Sequence, residues 1–120
     1  MPTIKKIGVI GAGQMGSGIA HVCALSGYDV IISDLKDEVI QKALAGITRN
    51  MDRQIQKGKL TEDVKQAALA RISTGTDLAV FADADLVIEA ATENEALKRD
   101  ILKKLVPNLK ADALIATNTS

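Results

Sequence analysis

Where the apolar run Ile7-Gly8-Val9-Ile10 gives way to the helix-patterned stretch Met15 to Leu25, the chain carries glycines at Gly11, Gly13 and Gly16. This spacing constrains the fold more than any other feature, because it requires a buried strand to turn at once into a helix. Gly11 lets the chain turn tightly off the strand, Gly13 lets main chain approach a ligand, and Gly16 lets the helix pack closely on the strand. The helix starting near Gln14 directs unpaired N–H groups and the positive end of its dipole outward. The backbone of Gly11, Ala12, Gly13, Gln14, Met15 and Gly16 is therefore predicted to hold a pyrophosphate without any lysine.

Glycines cluster in many turns, and the same pattern also fits a tight strand-to-helix connection that binds nothing. The following residues favour the ligand. Gly27 stands where a helix C-terminus needs it, and Tyr28-Asp29-Val30-Ile31-Ile32-Ser33-Asp34 reads as a second buried strand closing on an acid. Asp34 lies 18 residues past Gly16, close to the spacing of about 20 at which an acid accepts the hydroxyls of an adenosine ribose and repels a 2′-phosphate. NAD is thereby favoured over NADP, with Lys36 the one nearby feature that softens the preference.

Further strands are predicted at Arg71 to Thr74, Ala84 to Ala91 and Ala113 to Thr117, with the first running from Ile4 to Ile10. Helical patterns lie between most of them. Such alternation implies right-handed crossovers and a mostly parallel, doubly wound α/β sheet of the Rossmann type. The connection from Asp34 to Arg71 is long: Ile40, Leu44, Ile47, Met51 and Ile55 recur at helical spacing, Lys57-Gly58-Lys59 breaks the pattern, and Thr61 opens another helix. A helical hairpin projecting from the sheet is expected between strands 2 and 3, an added surface for substrate or for another subunit. After the fourth strand a helix with Leu97, Ile101, Leu102 and Leu105 on its apolar face is stopped by Pro107.

At 120 residues the chain is read as one domain, residues 1–120. Fifteen basic and fifteen acidic residues cancel, which argues against nucleic acid or an anionic membrane surface as partner. A lone cysteine excludes an internal disulfide, and neither a signal peptide nor a membrane-spanning run is seen, so a cytoplasmic setting is expected. With one Phe, one Tyr and no Trp, the core must be built from Ile, Leu, Val and Ala, as parallel strands covered on both faces require.

The glycine loop, Asp34, the helical pair, Asp83-Ala84-Asp85-Leu86-Val87-Ile88-Glu89-Ala90, Glu93-Asn94, Lys98 and Asn118-Thr119-Ser120 stand in an order that closely resembles the 3-hydroxyacyl-CoA dehydrogenase family over essentially the whole chain. The resemblance implies an NAD-dependent oxidoreductase of fatty-acid metabolism that interconverts (S)-3-hydroxyacyl-CoA and 3-oxoacyl-CoA, with short acyl chains such as 3-hydroxybutyryl-CoA, and that works as a homodimer. It implies that Glu93 and Lys98 lie beside the nicotinamide half of NAD. Ser120 would be a catalytic residue between nicotinamide and substrate hydroxyl, and Asn50 and Lys57 would meet the coenzyme A portion. The family's catalytic His and Glu pair lies downstream of the Asn-Thr-Ser motif, as does a helical second domain. Neither falls within these residues, so the segment alone is expected to hold cofactor with negligible turnover.

Within the chain no substitute for that base is expected. His21 is read as a surface or packing residue and Cys23 as a small buried filler. Asp83, Asp85 and Glu89 are explained by caps or strand-end solvation, and no metal site is expected. The alternative from another class is a stand-alone nucleotide-sensing module, which would need neither the helical hairpin nor the terminal Asn-Thr-Ser. A different two-domain dehydrogenase is a third.

Overall fold

The computed structural model describes residues 4–91 and 94–117. Strands β1 (Lys6–Ile10), β2 (Asp29–Ser33), β3 (Ile72–Gly75), β4 (Leu86–Glu89) and β5 (Leu114–Thr117) form one sheet in the order β3-β2-β1-β4-β5. Every neighbouring pair is parallel, so the expected doubly wound sheet is present. The chain builds outward from β1 through β2 to β3, then returns to lay β4 on the other side of β1. The crevice between β1 and β4 is thus the switch point at which such sheets receive ligands.

Side-chain alternation sorts the strands onto two cores. Ile7, Val9, Val30 and Ile32 face a layer formed by α1 (Gln14–Leu25), α2 (Asp37–Gln56) and α3 (Glu62–Ala70). Ile10, Ile31 and Val87 face the other way, onto Phe81, Ala84 and Leu105, the last carried by α4 (Glu95–Leu105). The ring of Phe81, fully buried in a 3-10 turn, occupies the space that the missing side chain of Gly8 leaves on this face. On β5 every residue is exposed.

The helix ends follow from local chemistry. Gly27 adopts φ +99° past the end of α1, with its N–H on the Ala24 carbonyl (3.2 Å) and the Tyr28 N–H on the Cys23 carbonyl (3.1 Å), the paired arrangement that satisfies a helix's last carbonyls. Thr61 caps α3 through its hydroxyl on the Val64 N–H, and Asn94 caps α4 on the Leu97 N–H.

The expected helical hairpin is present between β2 and β3 as α2 and α3. Ile40, Ala43, Ile47 and Met51 form a buried stripe along α2 that belongs to the same core as α1 and the strands. Near the far end of α2, Gln54 Oε1 lies 2.9 Å from Nε2 of His21 on α1. Apolar spacing that reaches to Met51 gives a helix of this length a face it must bury, so the hairpin becomes part of a helical layer, and His21 takes the packing role expected of it.

At the outer end of β4, Asp85 accepts the N–H groups of Lys5 (2.8 Å) and Lys6 (2.9 Å) on one oxygen and the ammonium of Lys110 on the other. Asp83 pairs with Lys6 at 2.9 Å. These carboxylates stitch the start of β1 to β4, as the capping reading expects. The Lys110 ammonium, then the two amides, hold the Asp85 carboxyl well below the usual carboxylate range.

Two outcomes follow. Phe81→Ala empties a fully buried site and should lower unfolding free energy by about 3–5 kcal/mol, measurable by urea denaturation. Because the native carboxyl of Asp85 is depressed, its stabilising contribution is complete above its unfolded value of about 4 and is lost as pH falls through the lower native value. Asp85→Asn should therefore lower the urea midpoint at pH 7, with the gap from wild type closing as the pH is taken below about 4.

Candidate functional site

Gly11 leaves β1 with φ +103°, its N–H on the Ser33 carbonyl at 2.7 Å. A Cβ on Gly11 would stand 2.7 Å from Ala91 Cα, and one on Gly16 would collide with the carbonyl oxygen of Gly11. A Cβ on Gly13 would meet nothing within 4 Å. The first and third glycines are thus fixed by close approach of main chain, while the second borders open space directly above the start of α1. Ser17 Oγ donates to the Gly13 carbonyl at 2.7 Å and holds the loop onto the first turn.

The start of α1 differs from the other three helix starts. Its N-cap is Gly13, with no side-chain cap among the described residues and no acid in its first turn. By contrast α2 begins with Asp37 and Glu38, α3 with Glu62 and Asp63, and α4 with Glu95. Gln14 and Met15 are exposed on that turn, and Ala12 is buried. Open amide donors with a helix dipole behind them suit an anion.

Asp34 stands at the carboxyl end of β2, half-buried, accepting the Ala12 N–H at 3.0 Å and the Lys36 N–H at 3.3 Å. It thereby touches the glycine loop. Between Gly11 and α4 opens a cleft of about 330 Å3 whose rim includes Asp34. Leu35, Leu78, Leu97 and Ile101 give it apolar walls, and Asp100 and Lys104, paired on α4 at 3.1 Å, stand with Thr76 among its polar groups. An apolar slot with the Asp34 carboxylate at its rim, and a second, Asp100, paired with Lys104, suits a flat heterocycle bearing a sugar.

The cleft accounts for a departure from the expected face of α4. Leu97 is 52% exposed and lines the cleft, whereas Lys98, one position on, is 5% exposed and faces inward. Lys98 Nζ lies 3.9 Å from Oε1 of Glu89, which is fully buried, and the other oxygen of Glu89 accepts the Ala91 N–H at 2.6 Å. Strand-end solvation is therefore wrong for Glu89: it shares the inward face of β4 with Val87, where an ammonium and an amide replace water. Lys98, which taken alone reads as a surface lysine, is buried too.

Glu93 and Ser120, with the rest of the Asn118-Thr119-Ser120 motif, lie outside the described residues. Asn50 and Lys57 are exposed on α2 and at its C-cap, two turns apart on one side of the helix, and neither lines the cleft. Arg53 donates to Asn50 Oδ1 at 3.4 Å. Cys23 is half-buried, and burial pushes its thiol up from the ordinary value, the opposite of an activated nucleophile. Among the described residues no group of three or more His, Cys, Asp or Glu is placed to hold a metal, and no helix is long and apolar enough to cross a membrane.

A parallel sheet with its switch point beside an uncapped, acid-free helix start and a carboxylate on the next strand defines a dinucleotide-binding α/β domain. Residues 6–120 match the model of the family described as 3-hydroxyacyl-CoA dehydrogenase, NAD binding domain, and the chain belongs to that family; its cofactor is NAD. It is 49% identical over 117 residues to a 3-hydroxybutyryl-CoA dehydrogenase of Bradyrhizobium diazoefficiens, covering 98% of this chain and 40% of that protein. The 3-hydroxyadipyl-CoA dehydrogenase of Escherichia coli is 37% identical, with 100% of this chain and 25% of that protein covered. The crystal structure of (S)-3-hydroxybutyryl-CoA dehydrogenase from Ralstonia eutropha superposes with a TM-score of 0.95 at 45% identity, over 98% of this chain and 42% of that one. The chain thus spans between a quarter and about two fifths of the length of these relatives.

The two kinds of glycine separate in experiment. Gly13→Ala should cost only about 1 kcal/mol of stability, for a poorer N-cap, while raising the NADH dissociation constant about tenfold or more, as a methyl enters the space above the helix start. Gly16→Ala should lower the unfolding midpoint and NADH affinity together, since α1 must shift away from the Gly11 carbonyl. Fluorescence titration and thermal scans on both variants check this.

Proposed function

We propose that the chain is the NAD-binding part of an enzyme interconverting (S)-3-hydroxyacyl-CoA and 3-oxoacyl-CoA, with 3-hydroxybutyryl-CoA as the favoured substrate and a homodimer as the working form. The observation that carries this reading is the convergence, at one switch point, of the open α1 start, the space above Gly13 and the Asp34-rimmed cleft. Backbone amides from Gly13 to Gly16 hold the diphosphate, whereas the N–H groups of Gly11 and Ala12 are taken by the Ser33 carbonyl and by Asp34. Asp34 holds the adenosine ribose, and its negative charge disfavours a 2′-phosphate. When bound, NAD supplies the carbon that takes up or gives back a hydride.

Glu93 and Lys98 serve the nicotinamide half, and Ser120 orients the substrate hydroxyl against it. Asn50 and Lys57 serve the coenzyme A portion, where an ammonium on a flexible stem suits a phosphate. Substrate names of the relatives support the acyl-CoA class: two act on hydroxybutyryl and one on hydroxyadipyl thioesters. Proton removal from the substrate hydroxyl needs a positioned base, worth about 10²- to 10⁴-fold. His21 is committed to Gln54 on the α1–α2 contact, so residues 1–120 by themselves turn over negligibly.

The test is coenzyme choice combined with turnover. NADH should bind more tightly than NADPH, and Asp34→Ala should narrow that difference about tenfold, read by fluorescence titration. Residues 1–120 should show no acetoacetyl-CoA-dependent oxidation of NADH above background. Absence of NADH binding by folded protein, or an unchanged preference in Asp34→Ala, would overturn the reading.

A further inference from the structure

Three charged side chains line the cleft among the described residues: Asp34 at the end of β2, and Asp100 and Lys104 on α4. Strands β2 and β4 flank β1, so the acid that follows β2 and the pair on the helix that follows β4 come to one opening from either side of β1. The Asp100 carboxylate lies 3.1 Å from the Lys104 ammonium, one helical turn on. Both side chains are exposed, and an exposed pair at this spacing adds little to the stability of a helix. Its place in the cleft offers another reason for it. Lys103, which shares the last turn of α4, lies outside the cleft, and so does Lys36, whose N–H meets Asp34. Lys104 is therefore the one cation that borders the cleft among the described residues, and Asp100 cancels it.

We infer that Asp100 is a second specificity-determining residue for the cofactor: by neutralising Lys104 it denies the cleft a cation that would attract a 2′-phosphate and offset the discrimination made by Asp34. The inference rests on the function proposed above. NADP differs from NAD by a phosphate of about 1.5 to 2 negative charges at neutral pH, carried on the ribose that Asp34 receives. Asp34 repels that phosphate. An ammonium free in the same cleft would draw it back, since lysine meets phosphate as a point charge on a flexible stem. Held by Asp100, the ammonium presents a much weaker field. Removing Asp100 takes away the net negative charge of the cleft, and removing Lys104 deepens it. The members of the pair therefore push coenzyme choice in opposite directions, which a shared role in shaping the cleft or steadying α4 would not do.

Dissociation constants for NADH and NADPH are measured by fluorescence titration at low ionic strength on the wild type, Asp100→Asn, Lys104→Met and the double variant, with urea denaturation to establish folding. In Asp100→Asn the ratio of the NADPH to the NADH constant should fall about threefold, the scale of a single exposed charge. In Lys104→Met it should rise by a similar factor, whatever happens to the two affinities together. The double variant, in which one neutral pair replaces another, should return close to the wild-type ratio. Added salt should shrink both single shifts. Either single variant carries the test where the other does not fold. Any other pattern in the single variants, above all shifts in the same direction or none, overturns the inference and leaves the proposed function standing. A wild type that binds neither coenzyme overturns both.

Discussion

Close contact between the α-carbon of Gly16 and the carbonyl oxygen of Gly11 decides how near α1 comes to the end of β1, and the geometry of the cleft depends on that distance. No side chain fits between them. Because helix and strand meet as bare backbone, the first turn of α1 opens immediately beside the sheet edge, and Asp34 on β2 is close enough to accept the Ala12 N–H at 3.0 Å. The same turn presses Gly11 against Ala91, so three strand ends are referenced to one loop. Rigid main chain, rather than flexible side chains, sets the site's dimensions.

Strand β4 handles charge in opposite ways at its two ends. At the outer end Asp85 meets amides and Lys110 near solvent, where the arrangement serves to align β1 with β4 and is felt in acid. At the inner end Glu89 meets Lys98 away from water. A solvated pair contributes modestly to stability, whereas a buried pair carries a desolvation cost that well-packed apolar residues would avoid. Carboxylates four residues apart on one strand thus do different work because of what surrounds them.

Much of the fold could be read from the chain because it is written in local signals. The glycine spacing, Gly27, the Thr61 cap and the apolar runs each act within a few residues, and each element they mark is present. Asp34 could be found because strand length fixes its place relative to the loop. The burial of Glu89 and Lys98 could not, since residues nine apart in sequence meet only when α4 folds back on β4. For the same reason Leu97 reads as core but lines the cleft: helical period defines a stripe, not which edge of it a neighbouring cavity takes. Leu35, which follows the acid of β2 and is 91% exposed, gives no sequence sign that it walls a cleft.

The acids at the starts of α2, α3 and α4 have a consequence for traffic over the surface. Every helix start attracts anions to some degree, so the four α-helices among the described residues offer a diffusing anion four destinations. Three of these already carry their own negative charge and turn the visitor away. The fourth, at α1, carries no acid in its own first turn, so there the positive end of the dipole is left to whatever lies above it.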